Sequence, residues 1–337
     1  MKVTQPDYYP EFSCIAGECP DSCCIGWQVI PDQEHLEYYN TLPGELGEAI
    51  RAGIVDTDGE PSFALCNGRC CMLREDGLCK IQYALGEGAL STVCDFYPRF
   101  VTELGLIREQ GLSISCPEVA RIILTREAPV TLNTFETNDP LRYFHDIEPE
   151  RLLAVQQGRA HGIETLQNRT LSLATRMKAL LNIGLRVDEI RVPETEVCMS
   201  QKDYFAFRQK LYGLFLSLER LRAHWTEILE KGAEGDLMRK LSQDICWEQL
   251  LVYFLYKYAL RSAMDDTFLE RIIMSILSVI LLQDLNRTES VDLIYLVQLF
   301  AKETEHSEDN LDTILKAIEE EPAFSPESVL ELLNYLS

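Results

Sequence analysis

The segment YFAFRQKLYGLFLSLERL, residues 204–221, repeats apolar side chains at steps of three and four residues. This spacing places them on one face of an α-helix, because the helix completes a turn every 3.6 residues. Comparable helical patterns cover most of the chain beyond residue 150, at residues 150–184, 201–231, 244–263, 267–285, 289–304, 308–320 and 326–336. The sequence therefore predicts a mainly α fold with a helical bundle in its C-terminal part.

The first third of the chain has a different texture, because proline and glycine recur there and interrupt long helices. A short helix is predicted at residues 31–39, with Pro31 in its first turn. Two strands at residues 100–104 and 107–115, with Gly105 in the turn, predict a short β-hairpin.

Cys116-Pro117-Glu118 then predicts the start of a helix that runs to Leu124, since proline fits the first helical position. Residues 126–150 have the composition of a linker or an irregular crossing. We therefore expect two domains, a cysteine-rich, loop-rich metal-binding lobe at residues 1–125 and an α-helical domain at residues 126–337.

Composition and charge exclude several classes of protein. Of the 337 residues, 46% are hydrophobic, which argues against general disorder, and the net charge is −23, which argues against a nucleic-acid partner. The N-terminus lacks the pattern of a signal peptide, and the longest apolar run, residues 272–282, is shorter than the ~20 residues of a bilayer span. We expect a cytoplasmic protein that does not bind membranes, and its oligomeric state is left open.

Ten of the 12 cysteines lie between Cys14 and Cys116, whereas Cys198 and Cys246 are interpreted as core residues of the helical part. Clustered cysteines in a cytosolic protein more often bind metal than form disulfides. Soft thiolates select zinc or an iron–sulfur cluster. Two CxxxCC elements, residues 19–24 and 66–71, lack the CxxxCxxC spacing of a radical-SAM loop.

The segment DFYPR, residues 95–99, follows Cys94 directly and combines a carboxylate, two aromatic rings and a guanidinium. Arginine can grip a carboxylate with two hydrogen bonds, and tyrosine can donate to a ligand or stack on it. The alternative is a turn in which Arg99 pairs locally and the rings fill the core. Arg261, at the end of an apolar helical stretch, is a further residue that could project into a cleft.

The histidines are scattered without metal-binding spacing, and each is interpreted as a surface or capping residue. They are His35, His145, His161, His224 and His306.

Four cysteine motifs together resemble the flagellin lysine-N-methylase family and, more loosely, the CxxCxxCC cysteine-cluster proteins. They are Phe12-x-Cys14-x4-Cys19-x3-Cys23-Cys24-x2-Trp27, Cys70-Cys71-x-Leu73-x3-Gly77-x-Cys79, Cys94-x2-Tyr97-Pro98-Arg99 and Leu112-Ser113-x-Ser115-Cys116-Pro117-Glu118-x-Ala120-Arg121. The resemblance implies transfer of methyl groups from S-adenosylmethionine to lysine side chains of flagellin, or of another lysine-bearing protein, by a protein that carries an iron–sulfur (4Fe–4S) cluster.

Roles for individual residues follow from this resemblance and from the spacing of the cysteines. The predicted cluster ligands are Cys71, Cys79, Cys94 and Cys116, because they are spread over four separate loops and flank the DFYPR segment. The rival set is Cys14, Cys19, Cys23 and Cys24, and Cys66 and Cys70 are available to either set.

The predicted catalytic residues are Asp95, Tyr97 and Arg99. Asp95 or Tyr97 would orient the amine or accept its proton, since a lysine ammonium has no lone pair with which to attack a methyl group. Arg99, with Tyr97 and Arg261, would bind S-adenosylmethionine. The alternative function is a non-catalytic protein in which zinc or an iron–sulfur cluster only holds the loops together.

Overall fold

The computed structural model describes residues 1–57, 59–139, 147–191, 197–220, 222–289 and 291–337. This part contains 15 α-helices and eight short strands, so the predicted mainly α fold is confirmed. Every helix in it falls short of the length and apolarity that crossing a bilayer requires. His145, one of the five histidines, and residues 140–146 of the predicted linker lie outside the described residues.

Five short helices belong to the first 125 residues: α1 Gln33–Thr41, α2 Gly44–Gly53, α3 Lys80–Leu85, α4 Thr92–Phe96 and α5 Pro117–Leu124. Ten more follow: α6 Pro149–Leu166, α7 Leu173–Val187, α8 Gln201–Ser217, α9 Ala223–Glu234, α10 Ile245–Ala259, α11 Ser262–Asp265, α12 Phe268–Thr288, α13 Leu293–Glu305, α14 Glu308–Glu320 and α15 Pro326–Tyr335.

The strands are β1 Lys2–Pro6, β2 Ile54–Thr57, β3 Glu60–Phe63, β4 Leu65–Cys66, β5 Arg69–Cys70, β6 Arg99–Leu104, β7 Ile107–Leu112 and β8 Leu132–Glu136. Short 3₁₀ turns occur at Tyr9–Glu11, Ala16–Glu18, Glu87–Ala89 and Pro322–Phe324.

Side-chain caps shift several predicted helix boundaries. The helix expected to include Pro31 begins at Gln33, because the Asp32 carboxylate accepts a hydrogen bond from the backbone N–H of His35 and stops the helix from starting earlier. The pattern at residues 289–304 likewise becomes a helix only at Leu293, after the cap at Asp292. The helix predicted from Pro117 to Leu124 is confirmed, with Cys116 at its N-cap position.

Two long helical patterns each divide into two helices. Residues 150–184 form α6 and α7, and the Ser172 side chain caps α7 by accepting from the backbone N–H of Thr175. Residues 201–231 form α8 and α9. Hydrophobic periodicity continues across these breaks, so the pattern by itself does not reveal them.

The predicted hairpin is confirmed as β6 and β7, which pair antiparallel across Gly105 with its φ of +56°. It forms part of a larger sheet with the strand order β6-β7-β1-β8. β1 runs parallel to β7, and β8 runs antiparallel to β1 within the predicted linker. The second strand ends at Leu112, so the three residues that follow it leave the sheet and turn towards α5.

Two hydrophobic cores lie in the described residues. The larger is centred on α10 and α12, and it also includes buried residues of β6, β7 and α5 such as Leu104, Leu112 and Ile123. The smaller contains Val29, Tyr39, Ile50, Phe63, Cys70, Met72, Ile81 and Ala89. The buried side chains of Arg159 on α6 and Glu109 on β7 form an ion pair, with Nη2 and Oε1 2.5 Å apart. This ion pair links the sheet to the helical bundle. The domain boundary near residue 125 stays a prediction.

Candidate functional site

The two CxxxCC elements lie side by side in the structure. The backbone N–H of Cys70 donates to the carbonyl of Cys24 at 2.8 Å, and the N–H of Gly26 donates to the carbonyl of Gly68 at 3.0 Å. Gly26 and Gly68 both have positive φ, so glycine permits the tight turns that bring the two segments together. This pairing sets Cys24 beside Cys70, although 46 positions separate them in the sequence.

Cys70 is a buried residue of the smaller hydrophobic core, and Cys24, Cys71, Cys79 and Cys94 are partly buried against it. Because the Cys71 thiol donates to the carbonyl of Gly53, we group the other four, Cys24, Cys70, Cys79 and Cys94, as the inner thiols. Cys79 caps α3 and Cys94 lies within α4. Burial raises the pKa of Cys70 to about 12, and the neighbouring Cys79 and Cys94 contribute to that rise. Burial likewise raises the pKa of Cys94 to about 11, with Cys23 and Cys79 adding to it. The inner thiols are therefore close enough to affect one another electrostatically.

A second group, the outer thiols, consists of Cys14, Cys19 and Cys116. Burial raises the pKa of Cys116 to about 11, and Cys19 and Cys14 add to the rise. Cys23 lies between the two groups, because it raises the pKa of both Cys19 and Cys94.

Cys23 itself accepts a hydrogen bond from the thiol of Cys24, which lowers the pKa of Cys23 to about 7. Of the adjacent residues Cys23 and Cys24, Cys23 therefore loses its proton more readily.

The structure brings together only part of the predicted ligand set. Cys79 and Cys94 are inner thiols, whereas Cys116 is an outer thiol in the larger core. The Cys71 thiol donates to the carbonyl of Gly53 at 3.4 Å. Of the rival set, Cys24 is an inner thiol and Cys23 lies between the groups. Among the described residues, no group of three or more His, Cys, Asp or Glu side chains is arranged so that it could hold a metal ion. The donor chemistry fits a soft metal or an iron–sulfur cluster.

The two cysteines predicted to be core residues differ. Cys246 is half-buried against the larger core, as expected, but Cys198 is exposed, and the prediction for it is wrong. Cys198 precedes α8 and its Ser200 cap, so it lies outside the helix face that is buried.

Three rings gather beside the thiols. The centroid of Trp27 lies 5.4 Å from that of Tyr97 and 4.6 Å from that of His306, and Tyr97 and His306 are 6.4 Å apart. Trp27 and Tyr97 are half-buried, whereas His306, which follows α13, keeps an exposed surface. The pKa of Tyr97 is raised by burial and also by Cys116, Cys23 and Glu305, so this ring lies within electrostatic range of Cys116 and Cys23.

A chain of hydrogen bonds runs from these rings to a buried carboxylate. The Ser115 hydroxyl lies 2.8 Å from Nε2 of His306, 3.1 Å from the Tyr97 hydroxyl and 2.7 Å from the Ser113 hydroxyl. Ser113 donates to Oε2 of Glu305 at 2.5 Å.

The Glu305 side chain is fully buried and also receives two bonds from α10. The Tyr253 hydroxyl donates to Oε1 at 2.6 Å, and Nζ of Lys257 lies 2.5 Å from Oε2. We call Glu305, Ser113, Ser115, Tyr97, His306, Tyr253 and Lys257 the Glu305 network.

A second charged group lies near the Trp27 ring. Nζ of Lys302, on α13, is 5.4 Å from the Trp27 ring and forms an ion pair with Asp21. Burial lowers the pKa of Lys302, while Asp21 opposes that effect. The Trp27 ring therefore already accommodates one cation, at a distance typical of a cation–π contact.

The other predicted site residues are more dispersed. Asp95 is exposed on α4. The guanidinium of Arg99 lies 5.4 Å above the Phe12 ring. Among the described contacts, Arg261 approaches Glu308 at 3.7 Å and does not reach Arg99 or Tyr97. The roles of these residues stay predictions.

A cavity of about 10 Å³ lies in the bundle between α8 and α12, lined by Arg208, Tyr212 and Asp284 among others. Its volume suits about one water molecule, and its lining contains none of the predicted site residues.

Sequence reasoning did not select His306 or Glu305. His306 was interpreted as a surface or capping residue, and it does occupy the C-cap position of α13. Its hydrogen-bonding partner Ser115 lies 191 positions away in the sequence, and no local pattern connects the two. The one local signal in the sequence is the serine pair before Cys116, Ser113 and Ser115.

Comparison with known proteins identifies the class. The model of the FliB lysine N-methylase C-terminal domain matches residues 207–332, which run from α8 to α15 and include Glu305 and His306. No solved structure matches the chain.

Curated relatives give the particular family. The flagellar biosynthetic protein FliU of Salmonella muenchen is 32% identical over 131 residues, which are 37% of this chain and 78% of that protein. The lysine-N-methylases of Salmonella typhimurium and Salmonella choleraesuis are 32% and 33% identical, again over 37% of this chain. The match spans only 33% of the length of each of these two enzymes. The chain belongs to the flagellin lysine N-methylase family, as its cysteine motifs indicated.

Proposed function

We propose that this protein is a protein-lysine N-methyltransferase that transfers methyl groups from S-adenosylmethionine to lysine side chains of flagellin. The observation that carries the proposal is family membership, through relatives named lysine-N-methylase. The structure supports it by placing the matched helices against the cysteine-rich segment, where the Glu305 network joins α10 and α13 to the residues before Cys116.

We further propose that the inner thiols hold a 4Fe–4S cluster. They would supply four thiolate donors from four separate segments in or against the smaller core, which is the donor set such a cluster uses. Each CC pair contributes one inner thiol, Cys24 and Cys70, while Cys71 bonds to a backbone carbonyl instead. When bound, the cluster would hold these loops together. The predicted set, with Cys71 and Cys116, is the competing assignment.

The reaction requires the substrate lysine to lose a proton before its nitrogen can attack. The nitrogen lone pair then forms a bond to the methyl carbon, the carbon–sulfur bond breaks, and its electron pair stays on the departing sulfur. Arg99 would bind the donor's carboxylate. Tyr97 would hold the acceptor side chain through its ring and hydroxyl.

Labelled S-adenosylmethionine, purified flagellin and the protein isolated without oxygen provide the test. We expect methyl-lysine to form with wild type and to fall in Arg99→Ala. Absence of methyl-lysine from a cluster-containing protein would contradict the enzyme and support the non-catalytic alternative.

The adjacent pair Cys70 and Cys71 separates the two ligand assignments. Cys70→Ser should lose iron and acid-labile sulfide, whereas Cys71→Ser should keep both. The reverse result would favour the predicted set, and zinc without sulfide in wild type would exclude the iron–sulfur cluster.

A further inference from the structure

The Glu305 network determines which nitrogen of His306 carries a proton. The Glu305 carboxylate, paired with Lys257, can only accept hydrogen bonds, so the Ser113 hydrogen points to it. The Ser113 and Ser115 oxygens are 2.7 Å apart, and two hydroxyl oxygens at that distance need a hydrogen between them. Since Ser113 has already used its hydrogen, Ser115 must donate to Ser113.

The hydroxyl of Ser115 therefore has no hydrogen left for His306, and Nε2 of His306 must be the donor across their 2.8 Å contact. A neutral imidazole carries one N–H, so Nδ1 is left with a lone pair. This Nδ1 atom has no hydrogen-bonding partner among the described residues. The buried carboxylate of Glu305 thus sets the tautomer of His306, an exposed residue, through Ser113 and Ser115.

The surroundings of Nδ1 suit a ligand that carries N–H groups and positive charge. The rings of Trp27 and Tyr97 lie beside the imidazole, and the Trp27 ring already contacts one ammonium group, that of Lys302. The charged groups that face His306 are Glu305, Lys257 and Lys302, and each lysine is paired, Lys257 with Glu305 and Lys302 with Asp21. The fixed charges around the ring therefore largely cancel.

We propose that Nδ1 of His306 accepts a hydrogen bond from the amino group of the substrate lysine and orients its nitrogen for methyl transfer. This inference rests on the proposed function for the identity of the substrate, but the amine site itself does not. The hydrogen-bonded proton stays on the lysine nitrogen, while the proton that must leave goes to solvent. Ser115, Ser113 and Glu305 are positioning residues, because they act only through the tautomer of His306.

The protonation state of the ring is consistent with this role. Desolvation of the imidazole, packed against Trp27, lowers the pKa of His306 to about 4 even though part of the residue stays exposed. Glu305 opposes this effect, and Lys257 and Lys302 reinforce it. The ring is therefore neutral at pH 7 and does not repel a cationic side chain.

Nitrogen-15 NMR of histidine-labelled protein tests the site without relying on activity. We expect the Nε2–H tautomer for His306 in wild type and a shift towards Nδ1–H in Ser113→Ala, because Ser115 is then free to donate to Nε2. Nα-acetyl-lysine methyl ester should move the Nδ1 resonance, whereas the norleucine analogue, which lacks the amine, should not. An Nδ1–H tautomer in wild type, or equal shifts with the two probes, would overturn the proposal.

Methyl transfer supplies the second arm. His306→Phe keeps a ring against Trp27 but removes the acceptor, and we expect kcat/KM to fall about 10- to 100-fold, as for loss of a hydrogen bond to a charged group. His224→Phe is the matched control, since His224 is also exposed and packed against an aromatic ring, that of Tyr295. A His306→Phe rate equal to wild type would refute the orienting role. If wild type transfers no methyl but the lysine probe still shifts Nδ1, the proposed function fails and the amine site stands.

Discussion

The helical part and the cysteine-rich part of this protein are stabilised on different scales. Among the described residues, the larger core contains 70 buried residues and the smaller core contains eight. Burial of apolar surface is the main favourable term in folding, so the helices have ample stabilisation of their own. The segment around the inner thiols has a core of the size at which small domains usually need a metal or a disulfide.

This difference also explains where the chemistry lies. The bundle positions Glu305, Lys257 and Tyr253 on rigid helices, and the cysteine-rich segment brings Trp27, Tyr97 and the thiols to them. Groups on packed helices are held more precisely than groups on loops. The site therefore combines groups on packed helices with groups on a loop-rich segment.

The largest expected effect is that of removing the proposed cluster. Chelation should abolish hydrogen-exchange protection in α1 to α4 and leave α10 and α12 protected, because metal-binding free energy contributes directly to folding of a segment with a small core. Exchange mass spectrometry before and after chelation measures this. Equal loss of protection in both parts would contradict the proposed difference in how the two parts are stabilised.

Within the helical part, the largest single effect should come from Glu248→Gln. The carboxylate of Glu248 is buried on α10 and pairs with Arg176 at 2.6 Å and with Arg169 at 2.8 Å. Its loss leaves a buried guanidinium without a counter-charge, which should cost about 3–5 kcal/mol in free energy of unfolding. Urea denaturation measures it, with the exposed Glu227→Gln on α9 as the control. A cost under about 1 kcal/mol would show that the buried guanidinium of Arg176 does not depend on Glu248 for its counter-charge.

A smaller loss is expected from Gly53→Ala in the cysteine-rich part. A Cβ atom there would lie 2.6 Å from Sγ of Cys71 and 2.9 Å from Cε of Met72. Relieving these clashes should cost about 1–3 kcal/mol and weaken the packing of α2 against the CC pair. Gly88→Ala is the control, because a Cβ at that position meets nothing within 4 Å. Thermal unfolding compares the two variants. Equal melting temperatures would show that Cys71 and Met72 move aside without a cost in stability.

The smallest effect should come from the cap of α1. Burial works against ionisation of Asp32, but hydrogen bonds from His35 and from the backbone N–H of Thr92 hold its pKa well below the usual range. A lowered carboxyl pKa adds stability above the unfolded pKa of about 3.9, and this stability is lost as pH falls through the folded pKa.

Asp32→Ala should therefore lower the free energy of unfolding by about 1 kcal/mol at pH 7. The gap to wild type should narrow below pH 4. Chemical denaturation at the two pH values measures the gap. A gap in free energy of unfolding that widens in acid would contradict the lowered pKa of Asp32.

Part of the fold was predictable because local patterns specify it. The helices of the bundle, the hairpin around Gly105 and the helix start at Pro117 depend on residues close in sequence. β1 and β8 were not predicted, because β1 pairs with residues about 100 positions away and β8 is mostly exposed, so neither shows a strong pattern.

Of the candidate site, the sequence predicts the chemistry of the side chains, and only the structure shows which of them lie together. The number and spacing of the cysteines indicated a thiolate centre, and the motifs indicated the family that the comparisons confirm. The distinction between Cys70 and Cys71 depends on a tertiary contact, since the Cys71 thiol donates to the carbonyl of Gly53, 18 positions away.

The sequence by itself determined the mainly α fold, the concentration of thiols in the first 116 residues and the family. Periodicity, composition and motif spacing are properties of neighbouring residues, and these can be read along the chain. Only the tertiary structure decided that Ser115, Glu305 and His306 meet, because that meeting depends on α13 packing against the turn before α5. Contacts over nearly 200 positions arise from the packing of complete helices and sheets, which the local sequence does not encode.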